Sequence, residues 1–335
     1  MHPGQESTLA PDDCAASRSA SRYGVDVCIC TYRRPQLAAT LKALAAQTGC
    51  RDLAVRVIVA DNDTAAHAAA TITALGAELG LDLHYVHAPA RNISIARNAC
   101  LAAAQAEWLG FIDDDVVPSP VWLQELMAEG QRGGWDAVLG PVRAIYPAAT
   151  PTWVREGDFH SSRFVAKQDR IVTGYTSSVL LRRDFIRRHD LRFDIDLGRC
   201  GGEDTDFFYR FCDAGGRIGS VAATLAEEPV PIERTQLGYI LKRNFRQGQT
   251  HALRLRQLSP RGVRRFWQGP IALGKAVLLG AGALFYPRQV NRRLYLARAA
   301  LQCGVVARFA GIGAIELYGT EPAPRRQSLD CQNPL

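Results

Sequence analysis

The chain has 335 residues, 47% of them hydrophobic and 22% charged, and its 40 Lys and Arg outweigh 33 Asp and Glu to give a net charge of +7. These are globular proportions, sufficient for one enzyme-sized domain and an appendage, and they exclude wholesale disorder. Nine cysteines lack metal-finger spacing, and residues 1–22 are polar without signal-peptide or anchor character, so a reducing, cytosolic setting is expected.

From Gly24 onward, short apolar runs alternate with helix-like segments. Residues 25–30 read as a strand, with Cys28 and Cys30 on one face as small core residues. Residues 36–47 read as a helix with Leu37, Leu41 and Leu44 on one side. A strand at 55–60, an alanine-rich helix at 64–79, a strand at 81–86, a helix at 94–104 and a strand at 108–112 follow. This βαβαβαβ order predicts a mostly parallel sheet covered on both faces, with ligands in the crevice beyond the carboxyl ends of the strands. The first such end, Thr31-Tyr32-Arg33-Arg34-Pro35, has no glycines to let the backbone approach a pyrophosphate, which argues against a nicotinamide enzyme.

The strand ends carry coherent chemistry. Thr31, Arg33 and Arg34 close the first strand, Asp61-Asn62-Asp63 the second and Asp113-Asp114-Asp115 the fourth. Asp61 suits a nucleobase edge or a ribose hydroxyl, and the arginines suit phosphates. Three adjacent carboxylates repel one another and raise each other's pKa unless a hard cation neutralises them. The competing readings are an Asx turn at Asp61, solvated arginines, and an acidic loop capping the helix that begins near Val121. Further on, Glu203-Asp204 precede Asp206, Phe207, Phe208 and Phe211, whose spacing predicts a helix with an aromatic core face. Its two leading acids also suit the helix dipole. Trp135 and Trp153 are sugar-stacking candidates or core residues.

Between Glu233 and Glu316 there is no acidic residue, while arginines recur throughout. Such a field attracts nucleic acid or anionic membrane. The apolar stretch 271–287, flanked by arginines and short for a spanning helix, favours lipid, either as an interfacial segment or as a Gly/Ala-rich helix packed on the catalytic domain.

Taken together, VDVCICTYRRPQLAATLKAL, VIVADNDT, ARNISIARNACLAAAQAEWLGFIDDD and GGEDTDFFYR resemble the family-2 inverting glycosyltransferases of GT-A fold, over residues 23–248. The TYRRP turn and YILKRNFRQGQTHA are most similar to the bacterial succinoglycan-assembly type. The resemblance implies an α/β GT-A domain at 23–233, divided into a nucleotide-binding half (23–117) and an acceptor half (118–233). A basic helical membrane-associating module (234–320) would follow, with tails at 1–22 and 321–335. It places the nucleotide site on Thr31, Arg33, Asp61 and Asp63, the diphosphate near Arg91 and Arg97, ribose and metal at Asp113 and Asp115, and the catalytic base at Asp204 beside Glu203. His251 is a further metal candidate, weighed against a structural role.

The implied cofactors are Mn2+ or Mg2+ and a nucleotide-sugar donor, UDP-sugar foremost. The implied partners are a lipid-linked saccharide acceptor and the anionic inner face of the cell membrane, with no nucleic acid. The Q-x-x-R-W signature of processive synthases is missing, Arg243, Phe245, Arg246 and Gly248 standing in its place, which favours addition of a single sugar. The rival readings are a sugar nucleotidyltransferase, which would need a glycine-rich phosphate loop, and a basic nucleic-acid-binding protein.

Overall fold

The computed structural model describes residues 23–50, 53–162, 164–167, 170–221, 226–258 and 263–316; the tails expected at 1–22 and 321–335 lie outside them. The first half runs β1 (Tyr23–Thr31), α1 (Leu37–Ala45), β2 (Leu53–Asp61), α2 (Ala69–Glu78), β3 (Leu83–His87), α3 (Ile93–Ala103), β4 (Trp108–Ile112), β5 (Val117–Pro118) and α4 (Trp122–Gly133). There follow β6 (Ala137–Leu139), β7 (Val142–Ile145), α5 (Thr152–Gly157), β8 (Ala166–Lys167), β9 (Arg170–Ile171), β10 (Ser178–Arg182), α6 (Arg183–Arg188) and α7 (Glu203–Asp213). After β11 (Ile218–Ser220), β12 (Ala226–Pro229) and a 3-10 turn at Ile232–Thr235 come three long helices, α8 (Leu237–Leu258), α9 (Val263–Phe285) and α10 (Gln289–Phe309).

A seven-stranded sheet in the order β11-β6-β10-β4-β1-β2-β3 forms the centre. Strands β4, β1, β2 and β3 are parallel, β10 is antiparallel to both its neighbours, and β11 is parallel to β6. A small sheet, β5-β12-β7, stands beside it. Because strand side chains alternate, β1 sends Cys28 to one core and Val25, Val27 and Ile29 to the other. The first core holds Phe207, Phe208 and Phe211 of α7, all fully buried, so the aromatic spacing read from the sequence is a core face. Each such ring contributes about 1.5–3 kcal/mol by burial. The second core holds Trp108, Trp122 and Leu126.

One charge inside the sheet is fully compensated. Asp26 of β1 pairs both oxygens with Arg56, directly opposite on β2, at 2.8 and 2.9 Å, and accepts from the backbone N–H of Gln105 and Ala106. These hydrogen bonds outweigh the effect of burial and hold its pKa below the usual carboxylate range.

The stretch 271–287 falls largely in helix α9, which packs on α10 and α8. Ala272, Ala276 and Ala283 are buried, while Phe266, Leu278, Leu284 and Phe285 stand exposed, Phe285 at 84%. Segment Phe266–Phe285 is long and apolar enough to cross a membrane by length and composition.

Candidate active site

Since β4, β1 and β2 are parallel neighbours, their carboxyl ends share one rim, where Thr31 aligns with Asp61 and Asp113 follows Ile112. A cleft of about 420 Å³ opens there. At the first strand end Thr31, Tyr32 and Arg34 line it, and from the second strand end Asn62 lines it. The neighbouring residues named from the sequence are engaged with one another. Arg33 forms a two-pronged bridge to Asp63 at 2.7 and 3.0 Å, and this bond lowers the Asp63 pKa. Asp61 is buried, accepting from the Asp63 N–H at 3.0 Å and the Tyr85 hydroxyl at 2.8 Å. Arg91 lines the cleft, with its guanidinium 6.0 Å from the Tyr32 ring centroid and its backbone in the left-handed region.

The three aspartates all line the cleft from a tight turn beyond β4, in which the Val116 N–H donates to the Asp113 carbonyl at 3.2 Å. Asp114 accepts from Thr31 Oγ1 at 2.8 Å, and burial pushes its pKa up to about 6 against that bond. Glu228 of β12 also lines the cleft. The Asp113 side chain is 43% exposed and lines the concave cleft. Loss of bulk water pushes it up to about 8; Arg97 opposes the shift, while Asp115, Glu228 and Asp114 add to it. Burial likewise raises Glu228.

This donor set suits a hard cation that takes one or two carboxylates and completes its shell from substrate phosphates. Among the described residues no three His, Cys, Asp or Glu side chains already converge as a metal cage. His251 is not brought to the aspartates. It lies on the exposed side of α8, about 140° around the helix from cleft-lining Arg246 at 3.6 residues per turn.

The two acids of the Glu203-Asp204 motif have different environments. Glu203 is buried and ion-paired with Arg97 of α3, itself buried, whose other prong is 3.7 Å from Asp113. Burial raises the Glu203 pKa despite that partner, and its Oε2 has no hydrogen bond. Arg97, read from the sequence as facing the diphosphate, lines the cleft and at the same time ties α3 to α7 through Glu203. Asp204 lines the cleft, with Oδ1 accepting from the Thr205 N–H at 2.6 Å. It lies in the first turn of α7, where the helix dipole favours a carboxylate.

The opposite wall comes from residues not assigned to the site from the sequence: His160, Ser162, Tyr175, Ser177, Arg234, Tyr239, Arg243 and Arg246. His160 has both ring nitrogens engaged, by the Tyr146 hydroxyl and the Arg234 carbonyl, and burial lowers its pKa to about 4, so it stays neutral. Tyr239 stacks on it at 6.4 Å. The boundary expected at 233/234 thus does not separate site from appendage. Trp153 and Trp135 pack into hydrophobic clusters outside the cleft lining, resolving their two readings toward core.

The mostly parallel sheet, the acidic rim at its carboxyl edge and the helix-borne acid pair define a glycosyltransferase of GT-A-like fold. Residues 26–190 match the family described as Glycosyl transferase family 2. Over 296 residues the chain is 44% identical to the succinoglycan biosynthesis protein ExoM of Rhizobium meliloti (strain 1021), spanning 88% of this chain and 96% of that one. It is 27% identical over 214 residues to a pre-mycofactocin glycosyltransferase of Mycobacterium tuberculosis, spanning 60% of this chain and 43% of that one. The chain belongs to glycosyltransferase family 2.

Among solved structures, the mannosyltransferase PcManGT of Pyrobaculum calidifontis, in complex with GDP-Man and Mn2+, superposes with a TM-score of 0.56 at 17% identity, over 85% of this chain and 86% of that one. Residues 1–349 of S. aureus TarS superpose at 0.50 and 17% identity, over 86% and 90%. These likenesses carry the fold. With the family established, the nucleotidyltransferase and nucleic-acid readings fall.

Proposed function

We propose that this glycosyltransferase moves one sugar, with inversion, from a nucleotide-diphosphate donor, a UDP-sugar foremost, to a lipid-linked saccharide in exopolysaccharide assembly. The observation that carries the reading is one cleft lined by Asp113, Asp115 and Asp204, with Arg34, Arg91, Arg243 and Arg246 also in its lining. The nucleotide end falls to Thr31, Tyr32 and Asn62, beside the buried Asp61. Asp204 takes the proton of the acceptor hydroxyl as its oxygen bonds to the anomeric carbon and the bond from that carbon to the diphosphate breaks. The arginines stabilise the departing charge by being placed in advance. Asp113 and Asp115 are the residues that would hold Mn2+ or Mg2+, which when bound neutralises the leaving diphosphate. The 44% identity to a succinoglycan biosynthesis protein supports the pathway class.

Metal dependence is the first test. Release of nucleotide from a panel of UDP-glucose, UDP-N-acetylglucosamine and GDP-mannose is expected to fall at least about tenfold with chelator and return with manganese. Asp115→Ala is expected to remove most turnover and leave part of the nucleotide affinity at Thr31. Full activity of that variant in metal-free buffer would sink the assignment.

The same reading places the enzyme on the cytoplasmic face of the membrane, held peripherally through α9 and the surrounding basic charge. The exposed apolar side of α9 and a run of 82 residues free of Asp and Glu, from Arg234 to Ile315, support it. Anionic lipid attracts each nearby basic side chain by about 1 kcal/mol and salt screens this, whereas apolar burial resists salt. Binding to vesicles containing phosphatidylglycerol is therefore expected to weaken but persist in high salt, and Leu278→Glu with Phe285→Glu is expected to abolish the persistent part. Unchanged high-salt sedimentation of the double variant with vesicles would remove α9 from the interface. Truncation after Glu233 is a poor substitute, since it also strips Arg234, Tyr239, Arg243 and Arg246 from the cleft.

A further inference from the structure

Asp204 follows an unusually pliant piece of backbone. Gly201 and Gly202 both lie in the left-handed region, at φ 78° and 94°, and Gly202 is the residue from which α7 starts. Two such glycines in succession form a soft joint. A carboxylate carried on one would wander, and a misplacement of about 1 Å can cost about a hundredfold in rate.

The joint is held from behind by α8. Arg246 Nη1 donates to the Cys200 carbonyl at 3.0 Å, and one helical turn later Thr250 Oγ1 donates to the Gly201 carbonyl at 3.3 Å. The fit is close enough that a Cβ on Gly201 would overlap Arg246 Nη1, and one on Gly202 would overlap Thr250 Cγ2. The helix providing the clamp is itself braced. A Cβ on Gly248 would overlap the Leu301 carbonyl oxygen, and one on Gly304 the Phe245 carbonyl oxygen, so the backbones of α8 and α10 are in direct contact.

We propose that Thr250 is a positioning residue for the catalytic base: from α8 it fixes the Gly201-Gly202 joint, with Arg246, so that Asp204 is presented at one place in the cleft. This rests on the reading of Asp204 as base. Arg246 lines the cleft and contacts substrate space as well, whereas Thr250 is outside the lining and acts only through the turn. Its hydroxyl has one competing acceptor, the Arg246 carbonyl of its own helix at 3.5 Å, a local bond that any mid-helix threonine can make. The longer distance to that acceptor favours the turn.

The test is a double-mutant cycle between Thr250→Val and Asp204→Asn in the full chain, read as nucleotide release from the donor panel with manganese and as donor affinity by titration. Thr250→Val keeps the side chain's size and removes the hydroxyl. It is expected to lower turnover about tenfold at unchanged donor affinity, and Thr250→Ser is expected to restore it. In the Asp204→Asn background, Thr250→Val is expected to have no further effect, because it acts through the group already removed. Wild-type turnover of Thr250→Val overturns the proposal. So does a full multiplication of the two effects, or a loss explained by donor affinity, either of which marks a general structural defect. If Asp204→Asn alone keeps its turnover, the base assignment fails and the proposal falls with it, an outcome the single variant distinguishes from failure of the clamp.

Discussion

Asp204→Asn is expected to lower turnover by about a hundredfold or more while donor affinity stays near that of the unaltered protein. The substitution keeps the side chain's shape and its capacity to accept from the Thr205 N–H at 2.6 Å, so the start of α7 is preserved. It removes the one property the base needs, a carboxylate able to take a proton as the acceptor oxygen attacks. The donor contacts assigned to Thr31, Tyr32, Asn62 and the arginines lie elsewhere in the cleft and are untouched. Initial rates and nucleotide titration on the same preparation separate the two quantities. A collapse of donor affinity would place Asp204 in the donor site. The base would then have to be another carboxylate, and Glu203 is a poor one because its charge is committed to Arg97 in a buried pair.

The difference between these two adjacent acids shows what a sequence can carry. The existence of the rim was legible: apolar runs located β1, β2 and β4, parallel order brought their ends together, and the polar residues following each run identified the cleft. The division of the triplet came only from the family resemblance, which puts roles on Asp113 and Asp115; all three aspartates line the cleft, and Asp114 also accepts from Thr31. Partnerships across distant segments were not legible. Arg97 and Glu203 are 106 residues apart, and nothing local to either marks one as the other's counter-ion. The same limit hid the second wall of the cleft. Arg243 and Arg246 were noted only as standing where processive synthases carry Q-x-x-R-W, within an uninterrupted basic run, and were assigned no place in the site. Only the packing of α8 against the site shows that both line the cleft, with Arg246 also holding the Cys200 carbonyl. His251, near the right place in sequence, is exposed on α8 and stands outside the cleft lining.

Arg97→Ala is expected to be among the most destabilising single substitutions in the protein, by about 3–5 kcal/mol, because it leaves Glu203 buried without its counter-charge. The magnitude comes from stranding a charge rather than from losing an attractive pair. Removing both partners together, as Arg97→Met with Glu203→Met, should therefore recover much of the loss, since the desolvation penalty disappears with the carboxylate. The pH dependence has a definite sign. Glu203 already has a folded-state pKa raised by burial, and Arg97 is the main influence holding it down. Without Arg97 the folded pKa rises further above the unfolded value, so the variant is favoured where Glu203 is protonated in both states and loses stability as pH climbs through the folded pKa. Asp113, pushed up to about 8 even with Arg97 beside it, titrates in the same sense. Thermal melts of Arg97→Ala should accordingly lie closer to those of the unaltered protein near pH 5 than near pH 8, with the double variant showing a weaker trend. Equal losses for the single and double variants, independent of pH, would mean that the guanidinium matters for its packing between α3 and α7 and not for the charge it neutralises.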